Sequence, residues 1–213
     1  MPTTERLVDR YWTPPGALPH LDGAYLAFRR REDDPLSLFR PRAEHHVASA
    51  EAAESPCLIL LGPPGIGKST ELRRMHAAAA EPKRFVDLAE VTAAADLDRL
   101  IPSDLARQWQ GRGTLFLDAF DEGRADLAPL GAVLARVLRE TDPEACLAIR
   151  IACRDADRPH TLETALEQHY GSVRPLTLAP LLRSDARAVA AAALGDDVAQ
   201  EFVAGVERAG VQA

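Results

Sequence analysis

Cysteine is scarce and unpatterned in this sequence: Cys57, Cys146 and Cys153 are the only three, with no CxxC spacing among them. Three thiols cannot all pair with one another, so a multi-disulfide scaffold is excluded and buried thiols in a reducing compartment are expected. No apolar run approaches the roughly 18 residues a membrane helix needs, and the opening MPTTERLVDRYW holds no apolar signal core. A cytoplasmic chain without a membrane partner is the expectation. Positive charge is also short. The formal net charge is −7, so the chain lacks overall basic character and shows no evident nucleic-acid surface. His45 and His46 have no second cluster at ligand spacing, which argues against a histidine metal site. Sixteen prolines and thirteen glycines among 213 residues are too few for a disordered chain. A content 46% hydrophobic and 27% charged suits a folded domain with extensions.

What is present is ordered along the chain. Residues 1–50 read as a leader packed on the core, with TPPGALP, a short alternating stretch at GAYLAF and room for one small hairpin or helix. Arg29–Arg31 beside Glu32, Asp33 and Asp34 read as a solvated, self-compensating surface, with a partner-binding patch as the sharper alternative. From residue 56 strands and helices alternate. CLILL (57–61) is a continuous apolar run, as a strand covered on both faces requires. Further strands are expected at 84–88, 114–118, 146–153 and 173–178, with helices at 67–80, 95–109 (broken near Pro102), 126–139 and 161–170. In the third of these, Leu127, Leu130, Leu134, Val137 and Leu138 form one stripe. This alternation predicts an α/β fold with a five-stranded parallel sheet flanked by helices. The core is expected over 51–180. Two helices at 184–194, capped by Ser184, and 197–211 read as the start of a helical subdomain over 181–213. A helical layer with nothing to close against is expected in a fragment of a longer protein.

GPPGIGKST, Gly62 to Thr70, fits G-x-x-x-x-G-K-[ST], with a strand before it and a helix after it. The loop Gly62, Pro63, Pro64, Gly65, Ile66, Gly67 lets the backbone curl so that successive N–H groups can face a phosphate, and the helix N-terminus adds a favourable dipole. Lys68 would reach the β- and γ-phosphates, Ser69 would ligate Mg²⁺, and Thr70 closes the motif. The plain alternative is a glycine-proline turn that happens to precede a helix.

TLFLDAFDE (114–122) ends a buried strand on Asp118 and adds Asp121 and Glu122, three acids within five positions. A strand-end Asp in a phosphate-loop protein holds the metal, and Asp118 takes that place. The segment 84–109 lies between the loop and this strand, which fits the P-loop class with an extra strand inserted between the two motif-bearing strands. A nearby acid can orient and deprotonate the attacking water. AAA+ machines carry that acid directly after the metal Asp, where this chain has Ala119.

LFLDAFDE resembles the extended Walker B motif of STAND NTPases of the NACHT group, and GPPGIGKST is similarly typical of that group. IACRD (151–155) resembles its sensor 1 strand, and LTLAPLLRSDARAVA (176–190) resembles the join to its first helical subdomain. The resemblance covers most of residues 11–190. It implies a P-loop NTPase fold and a slow ATPase switch that binds ATP or ADP with Mg²⁺. It also implies a nucleotide-dependent homo-oligomer in the full-length protein, in bacterial signalling or antiphage defence. Asp118 would then hold the metal together with Ser69. Glu122 would polarise water with Asp121 in support, and Arg154 would read the γ-phosphate. A solvated loop or a helix cap remains the alternative for Asp121 and Glu122, and an ion pair with Asp155 or Asp157 for Arg154. The adenine-clamping proline motif of that family and its winged-helix histidine do not occur before Ala213. An AAA+-like motor and a small-molecule phosphotransferase are the competing functions. The displaced acid and the lack of an evident sensor 2 arginine weigh against the first, and RDADR (154–158) is the sole feature favouring the second.

Overall fold

The computed structural model describes residues 10–17, 21–22, 25–26, 47–110, 112–120, 128–139, 147–154, 160–171 and 173–209. In chain order these carry β1 (Tyr11–Thr13), β2 (Leu21–Asp22), β3 (Tyr25–Leu26), β4 (Val47–Ala48), α1 (Ser49–Ala52), β5 (Cys57–Leu61), α2 (Lys68–Ala78) and β6 (Lys83–Asp87). Then follow α3 (Ala94–Leu100), α4 (Leu105–Gln108), β7 (Gly113–Asp118), α5 (Ala128–Arg139), β8 (Leu147–Ala152), α6 (His160–Tyr170), β9 (Arg174–Leu178), α7 (Arg183–Leu194) and α8 (Asp196–Ala209). Two compact units result: one over 50–176, the other joining the described residues before 50 to those after 176.

The larger unit is an α/β layer structure. Its strand order is β9-β5-β8-β7-β6, and β5 with β8, β8 with β7, and β7 with β6 pair in parallel. The five expected strands are all present, with boundaries moved by a residue at most sites. Apolar runs without polar alternation make sense here because each strand is covered twice. On β5, β7 and β8, alternate residues Cys57, Ile59, Leu61, Leu115, Leu117, Leu147, Ile149 and Ile151 enter one core with α3 to α6. Phe116 points the other way, where His76 of α2 meets it edge-on at 5.2 Å and Phe85 at 5.6 Å. Leu130, Leu134 and Val137 of the expected α5 stripe are buried; Leu127 lies outside the described residues, as do the side chain of Leu138, Arg29–Arg31, His45 and His46. Pro102 falls between α3 and α4, where the break was expected. Cys57 and Cys153 are buried and take part in no disulfide, and Cys146 lies outside the described residues. Arg150 interrupts the apolar β8. Its guanidinium is buried but donates to the carbonyls of Ala53 (2.6 Å), Ile149 (3.0 Å) and Pro56 (3.1 Å), which compensates the charge.

In the smaller unit β1 pairs antiparallel with β4 and with Thr177 and Leu178 at the end of β9. The leader was expected to hold one small hairpin or helix, and β2 and β3 pair antiparallel there. Trp12 is fully buried and donates its indole N–H to Ser49 Oγ at 2.8 Å. Helices α7 and α8 pack on each other, and Tyr25 donates its hydroxyl to the Val203 carbonyl at 3.2 Å. The cap expectation for α7 is corrected. Leu182 precedes the helix with no side-chain cap bond, and Ser184 lies inside the first turn, its hydroxyl 3.5 Å from Asp185 Oδ1. Among the described residues no helix is long and apolar enough to cross a membrane.

Candidate phosphate-binding site

The loop between β5 and α2 turns on glycine. Gly65 has φ 81° and Gly67, which precedes the first turn of α2, has φ 99°. Both values lie in the left-handed region that side chains disfavour. A Cβ on Gly65 would meet nothing within 4 Å, so backbone conformation rather than crowding requires glycine there. Ile66 between them is buried and anchors the loop while Pro63, Pro64 and Gly65 stay exposed. The first helical N–H groups have no intrahelical acceptor, and with the helix dipole they make this end of α2 suited to an anion.

Lys68 and Ser69 then project from the first turn. The Lys68 ammonium donates to the carbonyls of Gly62 (2.7 Å) and Pro63 (3.0 Å). Ser69 donates its hydroxyl to Asp118 Oδ1 at 3.0 Å, which ties the loop to the end of β7. Asp118 is buried, and its Oδ1 also accepts the N–H of Ala119 at 2.9 Å. Ala119 takes φ 54°, uncommon for a residue with a Cβ. Phe120 follows by donating its N–H to Ala152 at 3.1 Å, fastening the end of β7 to the end of β8. Burial pushes the Asp118 carboxyl above its ordinary pKa, with neighbouring Asp87 adding to that rise; the Ser69 and Ala119 bonds and the Arg73 charge oppose it.

These groups share one cavity of about 270 Å³, whose lining includes Lys68, Ser69, Thr70, Asp118 and Arg154. Pro64, Gly65 and Gly67 also reach it. Gly62 and Pro63 contribute through their carbonyls to Lys68, and Ile66 through packing. Arg154 arrives from the end of β8, so three parallel strand ends or their loops converge, as ligand sites of open α/β sheets do. The loop strand β5 and the Asp118 strand β7 are separated by β8. The inserted strand is therefore β8, while β6 lies beyond β7. Asp121 and Glu122 lie outside the described residues.

Two residues escaped the sequence reading. Arg73 of α2 stands 3.9 Å from Asp118 Oδ2 and 3.5 Å from Asp87 Oδ2. Asp87 ends β6 in register with Asp118. Helical spacing was the available signal for Arg73, since residues four apart share a face and Ser69 is four before it.

The donor set suits a hard divalent cation. Ser69 and Asp118 offer oxygen ligands side by side, and a hard divalent cation prefers such oxygen donors. Among the described residues no group of three or more His, Cys, Asp or Glu gathers.

Strand, glycine loop, helix and strand-end aspartate one strand removed define a P-loop protein of the α/β class. No family model matches the chain, and no curated protein matches it. Among solved structures it is similar to RuvB of Thermotoga maritima, a Holliday junction branch migration motor, at 17% identity and TM-score 0.45, over 69% of this chain and 48% of that one. It is also similar to a Walker-type ATPase of Pyrococcus abyssi, at 15% identity and TM-score 0.48, over 75% of this chain and 60% of that one. The chain thus spans about half to three fifths of the length of these solved chains.

Proposed function

We propose that this chain is the nucleotide-binding, slowly ATP-hydrolysing switch domain of a STAND-type NTPase of the NACHT group. The supporting observation is the Ser69–Asp118 hydrogen bond at 3.0 Å, set in a cavity that Lys68 and Arg154 also line. The N–H groups of the loop and of the first turn of α2 would hold phosphate oxygens. Lys68 would turn its ammonium to the β- and γ-phosphates, where the anionic acceptor strengthens its hydrogen bonds. Ser69 and Asp118 would hold Mg²⁺, which when bound neutralises developing charge on the phosphoryl oxygens. Arg154 would place a second positive charge against the terminal phosphate. Glu122, supported by Asp121, would take the proton of a water whose oxygen attacks the γ-phosphorus. The β–γ bridging oxygen leaves with ADP.

On this reading 51–180 is the NTPase core and 1–50 a leader, while 181–213 belongs to a helical subdomain. Bacterial defence or regulation through a nucleotide-dependent homo-oligomer is what the family resemblance adds. Ala119 directly after Asp118 weighs against an AAA+-like motor. Steady-state ATPase assays test the choice. Turnover that is slow, Mg²⁺-dependent and unresponsive to DNA, RNA or an added acceptor is expected. Fast turnover stimulated by a polymer would favour the motor, and an acceptor-driven rise in ATP consumption would favour a phosphotransferase.

A further inference from the structure

Asp87 and Asp118 are arranged alike. They end adjacent parallel strands in register. Each fixes its Oδ1 through a nearby backbone N–H, Ala89 for Asp87 at 3.1 Å and Ala119 for Asp118 at 2.9 Å. Each presents Oδ2 to one guanidinium, that of Arg73, at 3.5 Å and 3.9 Å. Arg73 is itself exposed but laid over the Phe85 ring, 5.1 Å from its centroid, a contact that favours a guanidinium above the two acids. We propose that Arg73 is a positioning residue that shares the outer oxygen of Asp118 with the incoming Mg²⁺ and withdraws onto Asp87 when the cation binds, so that the Arg73–Asp87 pair sets the Mg²⁺ requirement of the site. This rests on the reading of Ser69 and Asp118 as the cation ligands.

The chemistry follows from charge. A guanidinium near the metal ligand opposes a divalent cation, and a second carboxylate holding that guanidinium aside relieves the opposition. Arg73→Met should therefore lower the Mg²⁺ concentration that half-saturates binding of a fluorescent ATP analogue, by about three- to tenfold. Asp87→Asn should raise it, because Arg73 then has Asp118 alone. Adding Arg73→Met to Asp87→Asn should lower the midpoint by more than the same change does in the unaltered chain. Independent charge effects would add instead, so this coupling separates pairing from a general field. Arg73→Lys should lie near the unaltered chain. A midpoint unchanged within twofold in Arg73→Met, or additive effects in the double variant, overturns the proposal. If Arg73→Met does not fold, an unraised midpoint in Asp87→Asn overturns it equally. Failure of the unaltered chain to bind nucleotide with Mg²⁺ at all would instead reject the function proposed above.

Discussion

Lys68 is the side chain on which nucleotide binding should depend most, since it projects from the first turn of α2 into the cavity and its ammonium donates to the Gly62 and Pro63 carbonyls of the loop. Charge-assisted bonds from an ammonium to phosphate oxygens are among the strong ones, so Lys68→Ala is expected to lose ATP binding, by about 100-fold or more when read by equilibrium titration. Glu122→Gln should leave binding intact and remove hydrolysis, by on the order of 10² or more; unchanged hydrolysis would move the general base to Asp121. Cys57 offers a prediction independent of nucleotide. Burial pushes its thiol up to about 12 from 9.0, with Glu163 adding and Arg150 opposing. Such a group keeps its proton in the fold between those values while the unfolded chain loses it. Stability therefore falls as pH rises from 9 towards 12, and that slope should flatten in Cys57→Ala, as urea melts at several pH values would show. The same burial should protect Cys57 and Cys153 from alkylation until the chain is unfolded.

Elements were legible where a single period ran through them. CLILL reads as a two-face-buried strand because every residue of β5 is buried, and α5 reads from its stripe. Leu134 is fully buried within that stripe; Leu134→Ala should cost about 2–5 kcal/mol in denaturant unfolding. The phosphate loop was legible because left-handed turns need glycine at fixed places. β1 and β4 were not, since strands of three and two residues contain no period; β1 pairs with β9, far along the chain, and among the described residues β4 pairs only with β1. Ser184 misled for a related reason: a serine before an apolar helix is a cap signal, yet α7 starts at Arg183. Arg73 and Asp87 stayed hidden because their meaning lies in the register of β6 against β7, which local pattern does not encode.

At the scale of the whole molecule, the cavity lies entirely within the 50–176 unit. Nucleotide should therefore stabilise that unit by mass action, by about 2.7 kcal/mol at a hundredfold excess over Kd. Thermal melts with ATP and Mg²⁺ should shift upward in the unaltered chain and stay in place in Lys68→Ala. The most direct measurement is a calorimetric titration of the purified chain with ATP in excess Mg²⁺, repeated with chelator and with Lys68→Ala. One nucleotide bound per chain, weakened by chelation and lost in Lys68→Ala, is the expected result. Binding that is equal in all three, or absent from the unaltered chain, would contradict a P-loop nucleotide site built on Lys68, Ser69 and Asp118.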